Sequence, residues 1–204
     1  MPPRVTTMLF DLGDVVCRFR PQRRLAALAA ASGLPAQEIH VRLWESGFSQ
    51  ACDSGHYTAT EMYERACVLL AWQPSYTTFQ ALWVQAFEPD EAVLTLVDRV
   101  RRYVRTGLLT NNPPLLLDAL PNFLPQVHRR FEPLLFSFEF GAMKPSAALF
   151  TAVLARLRQP AQEILLIDDA AANVDGARAA GMQACRFTTV DTLSADLATY
   201  AIRL

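Results

Sequence analysis

The sequence predicts an α/β fold: a parallel sheet covered on both faces by helices, with a helical subdomain inserted near its start. Three observations predict it. Short apolar runs recur that stop at polar residues: Met8, Leu9 and Phe10 before Asp11, then "VRTGLLTNN" (104–112), "EILLIDD" (163–169) and "MQACRF" (182–187). Helix-like stretches separate these runs, and strands apolar on both faces that alternate with helices belong to parallel sheets. Between the first run and the helix at 90, in contrast, the chain is helix-like throughout, too long for a simple crossover. Ligands of such sheets bind outside the carboxyl ends of the strands. Asp11, Thr110, Asp168 and Asp169 all fall there.

Taken in order, "FDLGDVV" (10–16) ends the first run in a carboxylate and continues into a loop containing Gly13, where the backbone can turn sharply or approach a ligand. Asp11 alone reads equally as a cap of that turn. The insert follows. "PQRRLAALAAASG" (21–33) and "PAQEIHVRLWESG" (35–47) each run from a proline to a glycine. "TATEMYERACVLLAW" (58–72) opens with Thr58 and Glu61 in capping-box spacing, and "YTTFQALWVQAF" (76–87) is rich in aromatics. Further on, Val93, Leu96, Val97 and Val100 make one apolar stripe on a helix over 90–102. Leu149, Phe150, Val153, Leu154 and Leu157 do the same over 146–157, with Pro145 suited to the first turn. "AAANVDGARAAG" (170–181) stops at Gly181, a C-cap signal. The expected division is a core of residues 1–16 and 89–204 and a helical insert of residues 17–88.

A chain of 204 residues can bury a proper core, and 51% hydrophobic with 19% charged residues is the composition of an ordinary soluble globule. A net charge of −1 gives no case for nucleic acid or an anionic membrane as partner. The basic runs "RFRPQRR" (18–24) and "RVRR" (99–102) read as solvated faces. The cysteines, Cys17, Cys52, Cys67 and Cys185, are far apart and show no C-x-x-C. That speaks against a disulfide framework or zinc site and for a reducing cytoplasm. No apolar run reaches the roughly 18 residues of a membrane span, and "MPPRVTTMLF" has no signal-peptide core. Nothing points to a particular oligomeric state.

Set in order, the strand ends give Asp11, then "LLTNN", then "GAMKPSAALF" with Lys144, then "LLIDDAAANVDGARAAGM". Singly these have plain readings: a surface lysine at a helix start, acids at a helix N-terminus, a turn. Together they resemble the haloacid dehalogenase-like hydrolases, in the branch with a helical cap inserted after the first motif. The resemblance implies a Rossmann-like core of strand order 5-4-1-2-3 with the insert as a cap over the site. It implies a nucleophile at Asp11 that forms an aspartyl-phosphate, dividing one hard displacement into two easier ones. Mg²⁺ is the implied cofactor, held by Asp11, Asp169 and the backbone carbonyl of Gly13, with Asp168 bound directly or through a water. Thr110 and the amide of Asn111 would hold phosphoryl oxygens, and Lys144 would balance charge on nucleophile and phosphoryl group. Asn173 falls where the family has an Asp or Asn that steadies the site. The implied partner is a small-molecule phosphate ester.

One departure matters. The commonest phosphatase form of the first motif carries a second Asp, the general acid, two residues after the nucleophile. Gly13 stands there, and Asp14 is one place late, so its side chain points elsewhere along an extended backbone. Turn stabilisation suits it better. Three readings stay open. A phosphatase without a positioned acid would favour easy leaving groups such as an anomeric sugar oxygen, and "FDLG" with the later "DD" is similar to the α-D-glucose-1-phosphate phosphatase subgroup. A 2-haloacid dehalogenase also lacks the second Asp, but it uses no metal and leaves the paired Asp168 and Asp169 unexplained. A catalytically weak or inactive binding module is the third. Of these the phosphatase accounts for most residues. In the cap, Arg18, Glu45, Asp53 and His56 could face the site, whereas Trp44, Trp72, Phe79 and Trp83 suit cap core.

Overall fold

The computed structural model describes residues 4–200 and 202. Its strands in chain order are β1 (Thr7–Phe10), β2 (Cys17–Phe19), β3 (Phe87–Pro89), β4 (Arg105–Thr110), β5 (Leu134–Phe136), β6 (Ile164–Asp168) and β7 (Gln183–Arg186). Five of them form one parallel sheet in the order β5-β4-β1-β6-β7. Numbered among themselves, these five run 5-4-1-2-3, as the resemblance implied. β2 and β3 lie outside this sheet as an antiparallel pair, which the sequence pattern did not announce.

Both faces of the sheet are covered, because successive side chains alternate between them. Met8, Phe10, Leu108, Leu165 and Ile167 point into one apolar cluster, while Leu9, Leu109, Ile164 and Leu166 point into another. The second cluster is closed by α9 (Ala147–Leu157) and α10 (Ala171–Ala179), through Leu149, Phe150, Val153, Val174 and Ala177. The first holds α6 (Glu91–Val100), α7 (Pro114–Phe123) and α11 (Val190–Thr199), and it runs on without a break into the insert. Short α8 (Pro125–His128) links α7 to β5.

The insert between β2 and β3 is helical. It comprises α1 (Pro21–Ser32), α2 (Ala36–His40), a π-helical turn at Val41–Glu45, α3 (Phe48–Asp53), α4 (Ala59–Leu70) and α5 (Tyr76–Trp83). Pro21 starts α1 and Gly33 ends it in the left-handed region, where glycine costs least. Thr58 and Glu61 form the expected capping box on α4. α4 and α5 pack on α7, and Tyr76 donates to Asp118 Oδ2 at 2.9 Å across that contact. At a second contact, the Ser137 hydroxyl donates to the Asp53 carbonyl at 2.6 Å. Gly55 adjoins it so tightly that an added Cβ would lie 2.2 Å from the Phe138 carbonyl oxygen.

Two expectations need correction. Pro145 does not enter the first turn of α9: Ser146 is the N-cap, its hydroxyl accepting from the Ala148 amide, and the proline precedes it. The "RFRPQRR" run is solvated at Arg18, Arg20 and Arg23, but Arg24 is buried, because it turns in over Trp83 rather than out to water. "RVRR" is exposed at all its arginines, as expected. Phe79 and Trp83 are buried, and Trp44 and Trp72 pack against the same core. No helix among the described residues is long and apolar enough to cross a membrane.

Candidate active site

The register of the sheet assembles the site. Phe10 of β1 pairs with Ile167 of β6 on one side and Leu108 of β4 on the other. The next residues, Asp11 and Asp168, are therefore neighbours, and Thr110 ends the strand across from them. Carboxylate oxygens of Asp11, Asp168 and Asp169 all lie within 4.8 Å of one another. Lys144 arrives from the loop before α9 and places its ammonium 2.6 Å from Asp168 Oδ2 and 3.0 Å from Asp11 Oδ1. Three carboxylates against one ammonium leave the cluster net negative. Like charges this close repel strongly away from bulk water, so the donor set suits a dication. Asp11, Asp169 and the Gly13 carbonyl could supply hard oxygen ligands of the kind Mg²⁺ prefers.

Burial sets the electrostatics. It pushes the Asp11 carboxyl above the ordinary range, against the opposing pull of Lys144. Asp169 is raised as well, by burial first and then by Asp168. Desolvation works against the charge on Lys144, but Asp11 and Asp168 outweigh it and its pKa rises. Lys144 thus stays charged between its two carboxylates.

Asp168 is fully buried and both its oxygens are engaged. Oδ2 takes Lys144, while Oδ1 accepts from the Ala170 amide at 3.0 Å and from Asn173 Nδ2 at 2.9 Å. This places Asn173 in the steadying position the sequence suggested. Asp169 lines the cavity instead.

The Lys144 loop is held from two sides. The Asn111 side chain donates from Nδ2 to the Lys144 carbonyl and accepts from the Lys144 amide on Oδ1, both at 2.9 Å. Its side chain is thereby committed to the Lys144 loop. On the other side, Gly176 of α10 sits so close that an added Cβ would lie 2.7 Å from the Pro145 carbonyl oxygen. Thr110 accepts from Asn112 Nδ2 at 2.7 Å, so its own hydroxyl proton is available to a ligand.

At Gly13 an added Cβ would meet only the Phe19 side chain, its Cβ at 3.7 Å and its Cγ at 3.9 Å. Asp14, at φ 53°, accepts from the Phe19 amide at 2.9 Å and so stabilises the turn into β2. That was the role expected of it.

These residues surround a cavity of about 210 Å³. Asp11, Gly13, Thr110, Asn111, Lys144 and Asp169 form its floor, and Phe19 and Phe87 from β2 and β3 line it as well. The two rings and Asn112 are members that sequence reasoning missed. Of the four polar insert residues considered, Arg18 pairs with Asp90, Glu45 with His40, His56 meets the Ala51 carbonyl, and Asp53 is half-buried; none lines the cavity. A larger cleft, about 510 Å³, opens at the amino ends of β4 and β5. It contains Arg101, Arg105, Arg129 and Arg130 but none of the clustered carboxylates.

Comparison with known proteins finds relatives of the same fold. Phosphatase MT3486 of Mycobacterium tuberculosis is 27% identical over 188 residues, covering 88% of this chain and 86% of that protein. A predicted HAD-like family hydrolase from Porphyromonas gingivalis superposes with a TM-score of 0.78 at 22% identity, covering 99% of this chain and 100% of that one. An alanine variant of a HAD family enzyme from Bacteroides thetaiotaomicron, solved with magnesium and inorganic phosphate, gives a TM-score of 0.75 at 19% identity, covering 90% and 94%. The likeness to these structures shows the shared fold. The sequence profile of the haloacid dehalogenase-like hydrolases matches from Val5 to Gly181, a span that contains Asp11, Thr110, Lys144, Asp168 and Asp169, and the chain belongs to that family.

Proposed function

We propose that the chain is a Mg²⁺-dependent phosphatase that hydrolyses a small phosphorylated metabolite through an aspartyl-phosphate at Asp11. The observation that carries this reading is the juxtaposition of Asp11 with Asp169 and Lys144 at the carboxyl end of the sheet. A phosphatase named among the relatives and a magnesium–phosphate complex of the same fold support it. A metal-free dehalogenase has no use for Asp169 beside its nucleophile.

In this reading Asp11 Oδ1 is held by the Leu12 amide at 2.7 Å and by Lys144, so Oδ2 is the oxygen free to react. It forms a bond to phosphorus as the ester oxygen leaves with its electron pair. Water then attacks phosphorus, inorganic phosphate departs, and the carboxylate is regenerated. Asp11, Asp169 and the Gly13 carbonyl would hold Mg²⁺, whose positive charge would offset repulsion between nucleophile and phosphoryl oxygens. Lys144 adds to that charge, and the Thr110 hydroxyl and Asn111 amide donate to phosphoryl oxygens. Asp168 holds Lys144 in place and reaches the ion at most through water.

We assign residues 17–88 the role of a cap over a core of residues 1–16 and 89–204. Phe19 and Phe87 in the cavity wall support that assignment. With glycine at 13, the favoured esters are those whose leaving oxygen needs little protonation, sugar 1-phosphates among them. All four cysteines are free thiols, which suits a cytoplasmic setting.

The test is hydrolysis of p-nitrophenyl phosphate and a panel of phosphometabolites with Mg²⁺ and with chelator. Turnover that needs Mg²⁺ and vanishes in Asp11→Asn, with an unchanged Tm, is the expected result. Metal-independent turnover, or substantial activity in Asp11→Asn, would overturn the reading.

A further inference from the structure

The larger cleft, about 510 Å³, lies at the end of the sheet opposite the carboxylate cluster. Two turns form it. The turn from α6 into β4 brings Arg101 and Arg105, and the turn from α8 into β5 brings Arg129 and Arg130. His128 and Glu132 line it as well. Guanidinium groups gathered in one cleft repel one another unless anions stand between them, and the protein supplies few. Asp98 is occupied by Arg130, accepting from its Nε at 3.0 Å and its Nη2 at 2.8 Å. It reaches Arg101 only at 3.9 Å. Among the described residues, Arg105 and Arg129 pair with no carboxylate, and Glu132 pairs with no cation.

Two of these arginines are also held in place. Arg101 Nη1 donates to the Arg129 carbonyl at 3.3 Å, and Arg105 Nε donates to the Glu132 carbonyl at 3.0 Å. A guanidinium carries several N–H donors in a rigid fork. Each of the two is therefore fixed by the backbone of the cleft and still has donors unused. A cation at the C-terminal end of a helix offsets the helix dipole. That accounts for Arg101, which follows α6, and for Arg129, which follows α8. It does not account for Arg105, which opens β4, or for the concave shape.

We propose that this cleft binds a small molecule bearing two or more phosphate groups. Planar guanidinium forks match phosphate oxygens in pairs. Arg101, Arg105 and Arg129 all lack a close carboxylate. One phosphate group carries about −1.5 to −2 at neutral pH, so a second is needed to balance all three. The volume falls within the range of small-ligand pockets, about 300–1,000 Å³, which favours a compact ligand over a nucleic-acid strand. The carboxylate cluster repels anions until a dication is present. The arginine cleft takes its ligand without metal.

The experiment is calorimetric titration of the intact chain with inorganic tripolyphosphate, in metal-free buffer at low ionic strength. The wild type should bind about one equivalent, and about 10-fold or more tightly than it binds orthophosphate. Arg105→Gln and Arg129→Gln should each weaken binding about 10- to 100-fold, the scale of a lost charged hydrogen bond. Glu132→Gln removes the acid that lines the cleft and should tighten binding about 2- to 10-fold. Arg23→Gln changes the net charge equally, at a distant surface pair with Glu88, and should change affinity less than about twofold. All four side chains are exposed, so the variants should fold, with Tm as the check. A wild type that does not bind tripolyphosphate overturns the site, as do equal losses in Arg23→Gln or orthophosphate bound as tightly. A single-stranded oligonucleotide bound more tightly than tripolyphosphate overturns it in favour of a nucleic-acid surface. Variants that lose Tm while affinity stays constant leave the arginines a purely structural role and overturn it too.

Discussion

Lys144 is bound more closely to Asp168, at 2.6 Å, than to Asp11, at 3.0 Å. The buried carboxylate that never reaches the cavity therefore takes the larger share of the ammonium. Without it Asp11, the proposed nucleophile, would be the one carboxylate left to pair with the ammonium. Asp168→Asn should lower kcat about 10- to 100-fold, the usual effect of losing a residue that orients a site group. Its Mg²⁺ activation midpoint should move much less than that of Asp169→Asn. Equal shifts in the two titrations would make Asp168 a direct ligand after all.

Gly13 has room for a side chain. The nearest atom to an added Cβ is 3.7 Å away and the backbone is not in the left-handed region. Gly13→Asp should therefore fold and restore an acid near the leaving oxygen. The gain should be about 10- to 10³-fold in kcat/KM on alkyl phosphates and small on aryl phosphates, following the usual worth of general acid catalysis. An equal change on both classes would mean that another group already moves that proton.

Gly176 lies inside α10, where alanine would ordinarily stabilise a helix by about 1 kcal/mol. Here the added methyl would meet the Pro145 carbonyl at 2.7 Å and Phe150 Cε2 at 2.8 Å. Overpacking of this sort costs about 1–3 kcal/mol. Gly176→Ala should lower the urea midpoint and, by displacing the loop that carries Lys144, lower kcat as well. A raised midpoint would show that the loop yields freely.

Asp53 gives stability a pH dependence. Burial pushes its pKa up from 3.8 to about 7, with Arg24 pulling partly the other way. The folded state then binds the proton more tightly than the unfolded chain. This contribution is complete below about pH 4 and is lost as pH rises through about 7, at no more than about 1.4 kcal/mol per pH unit. Urea midpoints at pH 5 and pH 8 should differ more for the wild type than for Asp53→Asn. Parallel curves would place the titration elsewhere.

Much of this was legible in the sequence because parallel strands buried on both faces leave unbroken apolar runs, and the polar residue that stops each run marks the binding edge. Asp11, Thr110 and Asp168 were readable for that reason. β5 was not, since "LLF" is only three residues long. α7 was hidden by its prolines, Pro114 at its start and Pro121 within it. The Asn111 side chain was illegible in a different way: its partner is the backbone of Lys144, and backbone partners leave no trace in residue types. Arg24 was misread because the basic residues around it are solvated. Only the aromatic rings that it meets, Phe19, Trp83 and Phe87, mark it as interior, and two of those are distant in the chain.

Lys144 is also the only lysine in the sequence; every other cationic side chain that is permanently charged is an arginine. Its side chain is 1% exposed, so the folded surface offers acylating reagents no lysine at all. Activated esters should therefore leave the lysine of the folded chain unmodified. A label on Lys144 reports a molecule whose interior has opened, and following that label by mass then becomes a direct gauge of unfolding. Enzymes that acylate or conjugate lysine side chains likewise find no target on the native protein.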